Sequence, residues 1–337
     1  MPDLIEEDLI READRLLAAD DVGAALKLLT EANRAAPSIE LEAKLLSIRH
    51  RAFVASEQPP ISSWPPAVPD LFEGQRIPEI AAAELTAEHI ASGLAHHGSV
   101  LARGLLDNAR VAELRATVDR AFAAADRKRE DAEAETSPDL VPFEPEEKYS
   151  FGIFERAFAN FGSGVLGVDS PHAMFQMIEA LEAAGMADLM MDFFGERPAF
   201  SVKKTTLRRT EPDTVAGWHQ DGAFLGTETR ALNIWTALSP CGVDAPSLDV
   251  FARNFDHLVP TGGPDIYDWS VSDETAGTYG LEDVVRPVFE AGDALLFDHM
   301  TLHRTGVSPS MTKTRHAIEM WFFAPSTYPY EQIPLTL

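Results

Sequence analysis

"GDALLFDHMTLHRTG", residues 292–306, is a short apolar run bounded by turn-forming Gly and Asp, and it reads as a buried strand with His299 and His303 just beyond it. The same texture fills the chain after residue 197, where helical periodicity disappears. "FSVKKTTLRR" (200–209), "ALNIWTALS" (231–239), "LDVFAR" (248–253) and "RHAIEMWFFAP" (315–325) are rich in Val, Thr, Trp and Phe and alternate with Gly, Pro and Asp turns. Short β-rich runs of this kind predict a sandwich or barrel in the C-terminal half.

Upstream the pattern is helical. Residues 3–55 carry Leu16, Leu17, Ala24, Ala25, Leu28 and Leu29 at helical spacing, with no proline before Pro37 inside that stretch. Within it, "ADRLLAADDVGAALKLLTEANRAAPS" (13–38) resembles a single tetratricopeptide-type helix pair, with Gly23 at the bend and Pro37 as the stop. One such unit cannot bury both its faces, so it either docks on the rest of the chain or offers a surface to a protein partner or a second copy. Prolines crowd "SEQPPISSWPPAVPDLFEGQRIP" (56–78), which suits neither helix interiors nor central strands and marks the domain boundary. The expected organisation is a helical extension over 1–55, a linker over 56–78 and a catalytic domain over 79–337. From Leu85 the sequence reads helix ("TAEHIASGLAHHG"), strand ("SVLARGLL") and helix again, the last with Asp107 as N-cap, and residues 172–196 add one or two more helices.

Composition narrows the function. The chain has 337 residues, 45% of them apolar, enough for a sizeable core. Its 54 acidic against 28 basic residues give a net charge of -26, which argues against nucleic acid and anionic membranes as partners. The N-terminus "MPDLIEEDLI" is acidic where a secretory signal would be basic, and no long uncharged apolar run follows, so a cytoplasmic location is expected. Cys241, the single cysteine, excludes an internal disulfide and reads as a small buried side chain.

Chemistry concentrates in the β half. In "GWHQDGAFLG" (217–226) His219 and Asp221 stand at i and i+2, so an extended segment would turn both to one face. A third ligand must come from another strand, and either His303 or His299 serves. Two histidines and one carboxylate on one face of an ion leave open positions, the arrangement that suits Fe(II) enzymes handling dioxygen. Arg315, opening the next strand, can grip a cosubstrate carboxylate with two parallel hydrogen bonds, and Thr305 can add a hydroxyl. Lys203, Lys204, Arg208 and Arg209 cluster in an otherwise acidic chain; alternation turns Lys204, Thr206 and Arg208 to one face, where they meet cosubstrate, an anionic substrate or surface acids. Trp218, Phe224 and Trp235 are candidate apolar walls.

In order, "GWHQDGAFLG", "NIWTALSPCGVDAPSLDVFARN", "GDALLFDHMTLHRTG" and "TRHAIEMWFFAP" resemble the landmarks of the phytanoyl-CoA dioxygenase family of Fe(II)/2-oxoglutarate-dependent oxygenases, over about residues 85–325. The resemblance implies an α+β fold with a double-stranded β-helix, or jelly-roll, core flanked by helices, together with Fe(II), 2-oxoglutarate and O2. It implies His219, Asp221 and His303 as iron ligands, selecting His303 over His299, and Arg315 with Thr305 on the distal 2-oxoglutarate carboxylate. Trp235 matches an aromatic near the cosubstrate; Thr206 and Lys204 are further cosubstrate candidates. Related halogenases have a small residue in place of the aspartate, so Asp221 favours hydroxylation of a small molecule, with release of succinate and CO2. Nothing in the sequence marks a CoA site. The competing readings are a cupin-type metal enzyme that makes no use of 2-oxoglutarate and a catalytically silent interaction protein.

Overall fold

The computed structural model describes residues 2–53, 64, 66–131, 137–141, 143–146, 164–214, 217–262 and 267–337. Residues 56–63 and 65 of the proline-rich stretch lie outside the described residues.

The N-terminal segment is three helices, α1 (Pro2–Ala18), α2 (Val22–Ala35) and α3 (Ile39–Arg51), and the short α4 (Ala87–Ser92) follows the proline-rich stretch. The bend expected at Gly23 lies earlier. Asp20 takes the left-handed φ of 61°, and Asp21 caps α2 by accepting the Ala24 N–H at 3.0 Å, which leaves Gly23 inside the first turn. Aspartate tolerates that conformation and supplies the capping oxygen, so two acids perform the turn assigned to glycine. The three helices bury Ala13, Ala25, Leu29, Leu41, Leu45 and Ile48 among themselves, and Phe175 from α6 (Pro171–Ala183) packs against that cluster.

Polar contacts fasten this unit to the remaining chain. Arg34 pairs with Glu179 at 2.6 Å, Arg49 donates to the Thr336 carbonyl at 3.0 Å, and the Glu42 carboxylate meets His172 Nδ1 at 2.7 Å. Glu42 is buried, so its imidazole partner matters: the hydrogen bond and charge of Glu42 outweigh burial and raise the His172 pKa above its usual 6.5. The folded state therefore holds this proton more tightly than the unfolded chain. The pair's stabilisation is complete below about pH 6.5 and is lost as pH rises through the higher folded value. Thermal melts of the wild type should show the loss above pH 6.5, and His172→Gln should flatten it.

Two antiparallel sheets form the body. The larger follows the order β1-β2-β10-β6-β12-β4-β13 with β3 beside β4, where β1 is Glu79–Ala81, β2 Ser99–Arg103, β3 Val165–Leu166, β4 Ala199–Thr210, β6 Ala231–Ala237, β10 Ala294–Phe297, β12 Arg315–Phe323 and β13 Pro334–Thr336. Its one parallel pair is β1 with β2. The smaller is β8-β5-β11-β7-β9, made of β5 (Trp218–His219), β7 (Ser247–Phe251), β8 (Ser270–Val271), β9 (Val284–Val285) and β11 (His303–Gly306). From β4 to β7, and again from β10 to β12, successive strands alternate between the sheets.

Side-chain alternation gives each face of the large sheet its own task. Leu207, Ile234, Leu296, Ile318 and Phe322 point to the helical side, where they join Val118 and Phe122 of α5 (Asn108–Glu130), Met177 of α6 and Phe194 of α7 (Met186–Phe194). Asp107 caps α5 as expected, accepting the Arg110 N–H at 2.9 Å. The opposite face sends Trp235, Ala237, Leu295, Phe297 and Ala317 to meet Leu248 and Val250 of the small sheet. Gly292 opens β10 with a φ of 98°, and a Cβ there would collide with the Leu106 carbonyl; no other residue fits this turn without strain. Among the described residues no helix is long and apolar enough to cross a membrane.

Candidate active site

His219, Asp221 and His303 converge at one end of the space between the sheets. Their ligand atoms all lie within 4.8 Å of one another. Strand register brings the histidines together, since His303 of β11 pairs directly with His219 of β5, and the two rings stand 4.3 Å apart. Asp221 arrives differently from the expected extended segment. Strand β5 ends at His219, and Asp221 adopts helical angles (φ -63°, ψ -23°) at the start of the short helix Gly222–Leu225. Gly222 makes the turn feasible: its N–H donates to the His299 carbonyl at 2.7 Å, and a Cβ would run into Met300 and Leu258.

The backbone prepares both imidazoles. His303 Nδ1 lies 2.9 Å from the Thr301 carbonyl and His219 Nδ1 lies 3.2 Å from the Gly217 carbonyl. A carbonyl only accepts, so each Nδ1 carries the proton and each Nε2 presents a lone pair. Burial, with His303 alongside, lowers the His219 pKa to about 3 and keeps it neutral. Burial alone would raise Asp221, yet the charge of Lys204 beside it holds it at about 2. Its Oδ2 lies 3.8 Å from His303 Nε2, while its Oδ1 accepts from Lys204 Nζ at 2.7 Å. Two imidazole Nε2 atoms and one ionised carboxylate, within 4.8 Å of one another, form a donor set that fits Fe(II).

His299 is elsewhere. Strand β10 stops at Phe297, so alternation no longer governs residue 299, and this buried ring has the Thr227 carbonyl 3.4 Å from its Nε2 and no partner at Nδ1. Trp218 faces away from the site as well, packing with Phe251 and Val259 and donating to Asp273 at 3.0 Å.

Arg315 lies deeper in the same space. It is 2% exposed, with Nη1 donating to the Ser247 carbonyl at 2.8 Å and Nη2 to the Thr210 hydroxyl at 2.7 Å. Among the described residues its Nε has no partner, and its guanidinium carbon sits 5.1 Å from the Trp235 ring centre. Burial lowers its pKa to about 10, so it stays charged at neutral pH. Among the described residues no carboxylate forms an ion pair with it; Glu319, whose charge reaches it, is engaged by Arg208 at 2.9 Å. Burying such a cation without a counter-charge is costly.

Thr305 sits opposite Leu248 and His303 opposite Val250, so both face inward on β11, and the Ser247 carbonyl that holds Arg315 is the next step along. Three strand residues, about 10 Å of backbone, separate His303 from Gly306, the position opposite Ser247. Lys204, Thr206 and Arg208 share the site face as alternation predicted, but their tasks differ. Lys204 reaches Asp221, Arg208 pairs with Glu319, and the Thr206 hydroxyl donates to the Lys204 carbonyl at 3.2 Å. Sequence reasoning missed Thr210 and Ser247, which orient Arg315, and Glu319, whose signal was a lone carboxylate in the apolar run "RHAIEMWFF". Trp269 was missed too; it stacks on Tyr267 at 4.4 Å and stands 5.2 Å from His219.

A two-histidine, one-carboxylate cluster that could hold a metal ion thus shares the space between the sheets with a buried arginine that has no carboxylate partner among the described residues. The family description of the phytanoyl-CoA dioxygenases matches residues 94–317, and the chain belongs to that family of Fe(II)- and 2-oxoglutarate-dependent oxygenases. Solved structures resemble it more distantly. EctD from S. alaskensis, with 2-oxoglutarate and 5-hydroxyectoine, is 18% identical with a TM-score of 0.49, over 80% of this chain and 86% of that one. AviO1 from Streptomyces viridochromogenes Tue57 is 18% identical with a TM-score of 0.46, over 70% of this chain and 94% of that one. EvdO2 from Micromonospora carbonacea var. aurantiaca, complexed with 2-oxoglutarate, is 17% identical with a TM-score of 0.44, over 73% and 90%. No curated protein matches the chain.

Proposed function

We propose that this chain hydroxylates a small molecule, with His219, Asp221 and His303 holding Fe(II), Arg315 gripping the far carboxylate of 2-oxoglutarate, and a double-stranded β-helix core presenting both. Arg315 carries the reading: a fully buried guanidinium with a free Nε and no carboxylate partner among the described residues is built for an anionic ligand. Bound iron with 2-oxoglutarate and O2 supplies oxidative decarboxylation, in which C–H, 2-oxoglutarate and O2 become C–OH, succinate and CO2.

The chain's own groups do the rest. His219 and His303 would offer Nε2 to the ion, each ring held by a backbone carbonyl at its Nδ1. Lys204 occupies Oδ1 of Asp221 and so steers Oδ2 toward the histidines. Trp235, 1% exposed beneath Arg315, keeps water from the guanidinium and makes its grip on a carboxylate stronger. Thr305 faces inward between the histidine and the arginine with a hydroxyl that has no partner among the described residues, which suits it to the same carboxylate. Asp221 occupies the position that a halide would need, which supports oxygen insertion over halogenation.

Succinate formation tests this reading. With Fe(II), 2-oxoglutarate and O2, wild-type protein should release succinate that a panel of hydroxylatable metabolites stimulates, with labelled O2 appearing in both products. Metal-dependent turnover that persists without 2-oxoglutarate would replace it with a cupin-type reaction. Chelation by EDTA should abolish succinate release, and Fe(II) should restore it.

A further inference from the structure

We propose that Lys204 anchors an anionic group of the primary substrate, and that the substrates are small organic acids whose carboxylate meets Lys204 while their apolar body lies against Phe224 and Trp269. This rests on the oxygenase reading above and names the substrate class for the same site.

Lys204 is a cation placed at the reaction centre and held there. Its side chain is 17% exposed, its Nζ is 2.7 Å from Asp221 Oδ1, and it lies over two rings, 4.6 Å from the Trp321 centre and 5.1 Å from that of Phe224. The rings fix the ammonium over the site instead of letting it reach into solvent. An ammonium has three donors, and one is spent on Asp221.

Charge then decides what the others meet. The divalent ion and Lys204 face the single negative charge of Asp221, because metal-bound imidazoles are neutral. The chelating carboxylate of 2-oxoglutarate cancels one more positive charge, and its far carboxylate belongs to Arg315. Glu319, the other acid in the field of Lys204, is paired with Arg208 at 2.9 Å. One positive charge remains over the site, and Lys204 borders it with two ammonium donors that Asp221 does not take. Beside it, Phe224 is 37% exposed and meets Trp269 edge-on at 5.5 Å, with Trp269 in turn 5.2 Å from His219. An accessible aromatic corner next to a leftover cation, both adjoining the metal ligands, fits an acid with an apolar tail and disfavours a neutral or cationic substrate.

Calorimetry on the full chain loaded with redox-inert Co(II), with and without 2-oxoglutarate, tests the assignment using matched probes: hexanoate against hexanamide, and 3-phenylpropanoate against 3-phenylpropanamide. The acids should bind at least about tenfold more tightly than the amides, the value of one charge-assisted hydrogen bond. Lys204→Met should erase that preference, Lys204→Arg should keep it, and Co(II) titration of each variant reports whether the site still forms. Amides binding as well as acids, an acid preference that survives Lys204→Met, or acids that do not bind at all would each overturn the proposal. Failure of 2-oxoglutarate itself to bind would instead overturn the oxygenase reading, because the acid preference is also scored on the Co(II) form alone.

Discussion

Arg315→Met will raise the KM for 2-oxoglutarate by about 30-fold or more while leaving the ligand-free protein as stable as wild type, or more so. The first half follows from the cost of removing one partner of a buried charge pair, about 2–5 kcal/mol, where each 1.4 kcal/mol is about tenfold. The second half follows from the ligand-free geometry, in which the guanidinium is buried with a bare Nε and no counter-charge among the described residues. Methionine fills similar space without the desolvation cost. Thermal melts separate the two. A hundredfold excess of 2-oxoglutarate over its wild-type Kd should stabilise the metal-loaded wild type by about 2.7 kcal/mol, and the same concentration should stabilise Arg315→Met by about 0.9 kcal/mol or less. A variant that melts far lower and still binds 2-oxoglutarate would make Arg315 a structural residue.

Asp221→Ala should have the larger effect on metal. Partners that merely orient a ligand are worth about 10–100-fold in affinity, so loss of the ligand itself should weaken Fe(II) binding more than 100-fold and remove measurable hydroxylation. It also strands Lys204, whose ammonium would face two imidazoles with no carboxylate. A double variant, Asp221→Ala with Lys204→Met, should therefore recover thermal stability lost in the single variant without recovering metal. Recovery of metal binding in the double variant would show that Asp221 acts only as the lysine's counter-ion.

Much of the β half was readable because its signals are local. Apolar strands with alternating faces gave the positions of "ALNIWTA" and "RHAIEMWFF", and the order of His219, Asp221, His303 and Arg315 along the chain pointed to one site. The grouping of His219 with Asp221 was anticipated for the wrong reason. Their shared direction comes from a helical turn that Gly222 permits, and period-two reasoning does not register such a turn. His299 rivals His303 only if strand alternation is carried past Phe297, where the strand ends. Thr210 and Ser247 were beyond sequence reasoning, because their contact with Arg315 depends on the register of β4 against β12 and on the approach of the second sheet. At the N-terminus helical spacing was visible, but the choice of Asp20 over Gly23 for the left-handed position depended on Asp21 being free to cap.

Anaerobic titration of the purified protein with Fe(II), followed by 2-oxoglutarate, tests the central claim most directly. The account predicts one equivalent of Fe(II), then one of 2-oxoglutarate whose binding requires the metal, is lost in His303→Ala, and is weakened by about 30-fold or more in Arg315→Met. A protein that takes up no 2-oxoglutarate at millimolar concentration with Fe(II) bound, or takes it up equally without His303, would contradict it.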